Sequence, residues 1–166
     1  MPDRSTTERA RKDLREGKSP STAAGEFVHE EIEHVREGKH GARSPQQAIA
    51  IGLSKARRAG VPLPPPQKGK AKESTRASAT RDYEKGQAGE NDKPSPRASH
   101  ARSRTLKRES HRSTSRGALS SHARSAARGR SKESRSAAAR EAAATKGSAG
   151  RHAAAQKAAR TRAKRG

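Results

Sequence analysis

The chain of 166 residues has no cysteine and almost no aromatic side chains: one Phe, one Tyr and no Trp. The lack of cysteine excludes a disulfide scaffold and any zinc site built on thiolates. Leu, Ile, Val and Phe together supply twelve residues, about 7% of the chain, and a charged chain below roughly 20% is expected to be largely disordered. The composition therefore predicts a mostly disordered chain with a small all-α element.

Long apolar stretches are also absent from the sequence. No segment approaches the roughly eighteen apolar residues that a membrane helix needs, and the N-terminus has no apolar core for a secretory signal. We therefore expect the chain to stay in the cytosol and to make no contact with a membrane.

Charge divides the chain into three parts. Residues 1–66 hold 12 basic and 9 acidic residues together with ten of the twelve large apolar side chains, and they are predicted to form a small helical region. Residues 67–96 are polar and mixed in charge, which is typical of a linker. Residues 97–166 carry 20 Lys and Arg against three acids, so they are predicted to be a disordered polycationic tail.

Capping residues and glycines delimit three helices in residues 1–66, predicted at about 6–16, 21–37 and 45–59. Ser5, with Glu8 three positions later, fits a capping box for the first helix. The third helix has clearer signals, because Ser44 is a good N-cap and Pro45 occupies the first helical position. A glycine suited to a C-terminal turn follows each predicted helix, namely Gly17, Gly38 and Gly60.

Apolar residues recur at helical spacing on the second and third helices, which only five residues, 39–43, connect. The pattern predicts an antiparallel helical hairpin that packs through five side chains: Val28, Ile32, Val35, Ile49 and Leu53. So small a core gives a weakly stable monomer, and pairing with a second copy or with a partner protein is the alternative.

No pattern in the sequence predicts catalysis. His29 and His34 in the run HEEIEH look like a zinc motif, but they are five residues apart, about 140° off a common helix face, whereas the motif needs four. They are better explained as part of a solvated acidic face. Nothing assembles a nucleophile with a base or a phosphate-binding loop, so we expect no enzymatic activity, no cofactor and no metal.

Basic residues in the tail often recur every fourth position, a spacing that places cations on one slowly drifting face of a helix. Such a row could follow a phosphate backbone, while the alternative is solvated charge on a disordered coil. The residues predicted to bind nucleic acid are Arg104, Arg108, Arg112, Arg116, Arg124, Arg128, Arg130, Lys132, Arg140, Arg160 and Lys164. We expect this tail to be coil in water and to gain helix on DNA.

Two resemblances accompany these patterns. Residues 19–66 read SPSTAAGEFVHEEIEHVREGKHGARSPQQAIAIGLSKARRAGVPLPPP. This run resembles a family of small, basic, uncharacterised bacterial proteins, a domain of unknown function, and departs from its pattern at Pro45 and Gln46. The resemblance implies a bacterial source and a basic tail but no activity. The tail itself is similar to linker-histone tails in composition only.

The sequence thus favours a non-enzymatic, nucleoid-associated protein that binds duplex DNA without sequence preference. One alternative is a protein interaction module in which the hairpin docks a partner and the tail supplies steering or solubility. Another is an RNA-binding or ribosome-associated factor, because the tail chemistry does not distinguish RNA from DNA.

Overall fold

The computed structural model describes residues 2–89 and 95–164, and these residues are mainly helical. They form seven α helices and one 3₁₀ helix, His111–Thr114: α1 Arg4–Arg15, α2 Pro20–Arg36, α3 Pro45–Arg58, α4 Glu73–Gln87, α5 Pro96–Lys107, α6 Arg116–Arg128 and α7 Lys132–Ala163. The prediction of a mostly disordered chain with a single helical hairpin is therefore wrong. Residues 90–94 of the predicted linker and the last two residues of the predicted tail lie outside the described residues.

The chain divides into two compact units, residues 1–122 (unit 1) and residues 123–166 (unit 2). Unit 1 thus contains the three predicted helices, the stretch predicted as a linker, and the first part of the stretch predicted as a tail. In the part of the chain that the structure describes, no helix is both long enough and apolar enough to cross a bilayer.

The three helices predicted in residues 1–66 are confirmed to within about two residues. Ser44 caps α3 as predicted, because its Oγ accepts a hydrogen bond from Gln47 N at 3.3 Å. The capping box predicted at Ser5 is wrong: α1 begins at Arg4, so Ser5 already lies inside the helix. Helix α2 begins earlier than predicted, since its N-cap is Ser19.

Small residues build the main core of unit 1, where α1 packs on α2 and α2 packs on α3. Its buried members are four alanines with one Phe and one Val: Ala10, Ala23, Ala24, Phe27, Ala56 and Val61. A second cluster joins Val35, Ala42 and Ala48. Of the five predicted hairpin residues only Val35 is buried, while the other four, Val28, Ile32, Ile49 and Leu53, are half-buried.

Helix α4 lies in the stretch predicted as a linker, and it packs on α3. Ala79 is buried there, and Ser54 Oγ donates a hydrogen bond to Asp82 Oδ2 at 2.5 Å. Gly86 lies so close to the Arg57 carbonyl that a Cβ on it would overlap that oxygen. Helix α4 is therefore held on α3 by close backbone approach and polar contacts, and not by large apolar side chains.

The first part of the predicted tail docks on the loop between α2 and α3. Gly41 N donates to Leu106 O at 2.8 Å, and Ala42 N donates to Ser110 O at 3.1 Å. Arg36 Nε donates to the carbonyl oxygen of Thr114 at 3.1 Å, and Thr114 is fully buried. These contacts satisfy backbone groups, which composition cannot reveal, so residues 106–114 belong to the folded unit.

Unit 2 contains the end of α6 and all of α7, and none of its described side chains is buried. Ser131 caps α7 by accepting a hydrogen bond from Ser134 N at 3.2 Å. The helix is interrupted at Gly147, whose φ of 64° is left-handed, and Arg151 Nη1 donates across the break to the carbonyl oxygen of Ala143 at 2.6 Å. Alanine's high helix propensity explains why this segment is helical despite its repelling charges.

Candidate nucleic-acid interface

The eleven basic residues predicted to bind nucleic acid are all exposed. They are distributed over several elements: Arg104 on α5, Arg108 after it, Arg112 in the 3₁₀ helix, Arg116, Arg124 and Arg128 on α6, Arg130 in the following turn, Lys132, Arg140 and Arg160 on α7, and Lys164 as the C-cap of α7. Only three acids, Glu109, Glu133 and Glu141, accompany the 20 cations of residues 97–166. The surface therefore presents a strong excess of positive charge.

The basic residues that recur at every fourth position do not form one continuous face. Helix α5 ends at Lys107, so Arg104, Arg108 and Arg112 fall in three different local structures. Arg124 and Arg128 retain the spacing, one turn apart on α6. The predicted stripe is thus realised only in short pieces.

The first half of α7 presents a better-defined cationic face. At 100° per residue, its four cations lie within an arc of about 140°, and they are Lys132, Arg135, Arg140 and Lys146. We call these four residues the α7 arc. The search for cations at every fourth position missed Arg135 and Lys146. They are found by the angle of each residue around the helix, taken over the stretch between the Ser131 cap and the break at Gly147.

The two acids of α7 lie outside that arc, at about 100° and 180° from Lys132. The pKa of Glu133 is lowered, because its carboxylate accepts hydrogen bonds from its own backbone N–H and from Ser131. A charged Glu133 in the first turn also complements the helix dipole. This acid therefore stabilises the start of α7 without interrupting the cationic face.

The second half of α7 has a smaller cationic face. At 100° per residue, Lys157, Arg160 and the C-cap Lys164 lie within an arc of about 60°, whereas Arg151 and Arg162 lie about 120° or more away from these three. The guanidinium of Arg151 is moreover engaged with the Ala143 carbonyl. This half therefore adds a short row of three cations.

Comparison with known proteins addresses only the N-terminal third of the chain. Residues 15–68, which include α2 and α3, match a family of unknown function (DUF6496). This part of the chain is thus similar to an uncharacterised domain, and the match indicates no activity, because the function of the family is unknown. Neither the curated proteins nor the solved structures include a match. The cationic helices lie outside the matched region.

Proposed function

We propose that this chain is a non-enzymatic protein that binds duplex DNA without sequence preference and coats or compacts it. The observation that carries the proposal is the exposure of all eleven predicted cations in a segment with 20 basic and three acidic residues. Binding of this kind follows from neutralising phosphates and releasing their counterions. A bacterial source and a location at the nucleoid, in the cytoplasm, are part of the same proposal.

Duplex DNA is favoured over a single strand because the chain offers little for bases to stack on. Its one Phe and one Tyr are Phe27, which is buried, and Tyr83, which is half-buried. Single-strand platforms use exposed aromatic rings, and recognition of unpaired RNA relies on the same stacking. Double-stranded RNA shares the phosphate chemistry, so its competition with duplex DNA for the chain distinguishes the two polymers.

The alternative of a protein interaction module has weaker support. Its proposed docking stripe consists of Val28, Ile32, Ile49 and Leu53, and the structure leaves all four only half-exposed. Leu53 packs directly on the core of unit 1. Packing within the chain therefore already uses much of the apolar surface that a partner would bind.

The salt dependence of binding tests the proposal. If about ten phosphates are neutralised, the logarithm of the affinity for random duplex DNA should fall with the logarithm of the salt concentration at a slope near −9. Electrophoretic retardation and fluorescence anisotropy across a salt series measure this slope. A slope shallower than about −3, or no retardation at low salt, contradicts DNA binding.

Two matched double variants test whether the tail cations are responsible. Arg124→Gln with Arg128→Gln removes two exposed arginines four residues apart on α6, and Arg11→Gln with Arg15→Gln removes a similar exposed pair on α1. We expect the α6 pair to make the salt slope shallower by nearly 2 and the α1 pair to leave it unchanged. Equal effects would mean that only the net charge of the chain matters.

A further inference from the structure

Unit 1 contains a buried ionic cluster that joins α2 to the loop after it. Helix α2 contributes Glu30, Glu31 and His34, and the loop contributes His40. The sequence predicted a solvated acidic face here and no metal pair between His29 and His34; His29 is exposed, but Glu30 and Glu31 are buried, so the prediction of a solvated face is wrong for these two acids. The rings of His34 and His40 meet edge to face with their centroids 6.3 Å apart.

Glu31 is the central residue of the cluster, and its side chain is completely buried. Lys55 Nζ lies 2.7 Å from Oε2, and His40 Nε2 lies 3.4 Å from Oε1. Neither carboxylate oxygen accepts a properly aligned hydrogen bond. This carboxylate is paired with Lys55 but lacks aligned hydrogen bonds, and a buried charge is costly unless it is both paired and hydrogen-bonded.

The ring of His40 is oriented to bind a cation. Its Nδ1 lies 3.1 Å from the carbonyl oxygen of Gly41, which can only accept, so Nδ1 carries the proton. In the neutral ring, Nε2 then carries a lone pair and no proton. This lone pair faces the lone pairs of Glu31 Oε1. A backbone carbonyl that fixes the other ring nitrogen is the usual second shell of a metal-binding histidine.

His34 completes a set of three ligands. One ligand atom from each of Glu31, His34 and His40 lies within 4.8 Å of the other two. Metal ligands at bond lengths of about 2.1 Å lie roughly 3.4 Å apart in a tetrahedron, so only small side-chain rotations bring all three onto one ion. His34 Nε2 also lies 3.7 Å from Asp3 Oδ2, which supplies a carboxylate beside this histidine.

Local charge favours a divalent cation here although the chain as a whole is strongly basic. Asp3, Glu30 and Glu31 bring three negative charges, and Lys55, which contacts both glutamates, supplies one positive charge. With neutral histidines the cluster is left with two negative charges. A surface recess of about 180 Å³, lined by Asp3, Glu30 and His34 among others, brings solvent to His34, the one proposed ligand that lines it.

We propose that Glu31, His34 and His40 bind one zinc ion, with Lys55 remaining on Oε2 of Glu31. Two imidazoles and one carboxylate are ligands that zinc accepts, and they leave a fourth position for water. The ion would tie α2 to the loop on which residues 106–114 dock, since His111 Nδ1 lies 3.1 Å from the His40 carbonyl oxygen. The site therefore braces the attachment of this segment and is independent of the proposed DNA binding.

Titration of the full chain with zinc chloride, followed by calorimetry and by thermal unfolding, tests the proposal. We expect one ion per chain and a higher unfolding temperature with zinc. His40→Gln should weaken binding by more than about 100-fold, because losing a ligand costs more than losing a second-shell partner. His29→Gln, an exposed histidine on the same helix, is the matched control and should bind like the parent.

A second group, Asp3, Glu30 and His34, also meets the distance requirement for a metal ion. If Glu30→Gln abolishes zinc binding while His40→Gln leaves it unchanged, the ion lies in that group and the proposal is wrong. No zinc binding at all also overturns the proposal.

A measurement on the unmodified chain removes any dependence on how the variants fold. The chain has seven histidines, and their side-chain nitrogens are resolved in proton–nitrogen correlation spectra of a labelled sample. Zinc should shift two of the seven imidazoles strongly at one equivalent. Gradual shifts of many histidines, or of one alone, would contradict a site made by His34 and His40.

Discussion

Single glycines decide how closely the helices of unit 1 approach. A Cβ built on Gly52 of α3 would lie 2.6 Å from Val28 Cα of α2, closer than real Cβ atoms approach. A Cβ on Gly41 would likewise overlap the carbonyl of Glu109 in the docked segment. Both glycines are packing residues, and for Gly52 the sequence signal is a glycine inside the helical pattern QAIAIGLS.

The first prediction at this level compares two glycine-to-alanine variants. Gly52→Ala should lower the free energy of unfolding by about 1–3 kcal/mol, because α2 and α3 must separate to admit the methyl group. Gly25→Ala is the control: it lies in α2 with nothing within 4 Å of its Cβ, and it should gain about 0.5–1 kcal/mol from helix propensity. Urea unfolding followed by circular dichroism measures both. If the two variants shift stability in the same direction, close helix contact at Gly52 is not a feature of the fold.

The buried histidine cluster could not be predicted from the sequence. His34 and His40 are separated by the end of α2 and a turn at Gly38, so no helical spacing relates them. In the run HEEIEH, helix geometry correctly excludes a His29–His34 pair. The pair that the structure forms is His34 with His40, which lies outside this run. Only the path of the loop brings His40 back to Glu31.

Among the helices, those with strong local signals were predicted and those without were not. Helices α1, α2 and α3 have proline or serine near their starts and glycines at their ends, and the glycines Gly17, Gly38 and Gly60 do adopt left-handed φ angles of 74°, 77° and 87°. Helix α4 was missed because its contacts with α3 use Ala79, Gly86 and Asp82, residue types that the rule for disorder does not count as core. Helix α7 was not predicted because the repulsion between its cations opposes a helix, and in the structure the helix propensity of its alanines outweighs that repulsion.

The α7 arc gives a prediction about the arrangement of charge at fixed composition. Exchanging Arg140 with Ala138 and Lys146 with Ala144 moves two cations to about 120° on either side of Lys132, so the arc is lost while net charge and composition are kept. We expect weaker DNA binding and a salt slope shallower by about 1–2, because fewer phosphates are contacted at once.

A conservative version of the same exchange is its control. Exchanging Arg151 and Lys157 for each other alters the second half of α7 and keeps a cation at each position. This variant should bind DNA like the parent chain. If the arc variant also binds like the parent, bulk charge alone determines affinity and the face has no role.

Considered as one chain, the protein should be helical before it meets any partner. The sequence predicted coil in residues 97–166 that folds on DNA, but about three quarters of the residues that the structure describes are helical without DNA. We expect the circular dichroism of the full chain in buffer to show this helix content, and saturating duplex DNA to add little. A coil-like spectrum that becomes helical only on adding DNA would contradict this and restore the sequence-based expectation.

The prevalence of alanine in the core has a consequence for how stability depends on temperature. The heat capacity change of unfolding is set mainly by the apolar area exposed to water, typically about 12–15 cal/mol/K per residue. Four of the six residues in the main core of unit 1 are alanines, and none of the described side chains of unit 2 is fully buried. The heat capacity change per residue is therefore expected to fall below the usual range. The stability curve is then flatter, so cooling weakens this fold less than it weakens a protein with a leucine-rich core.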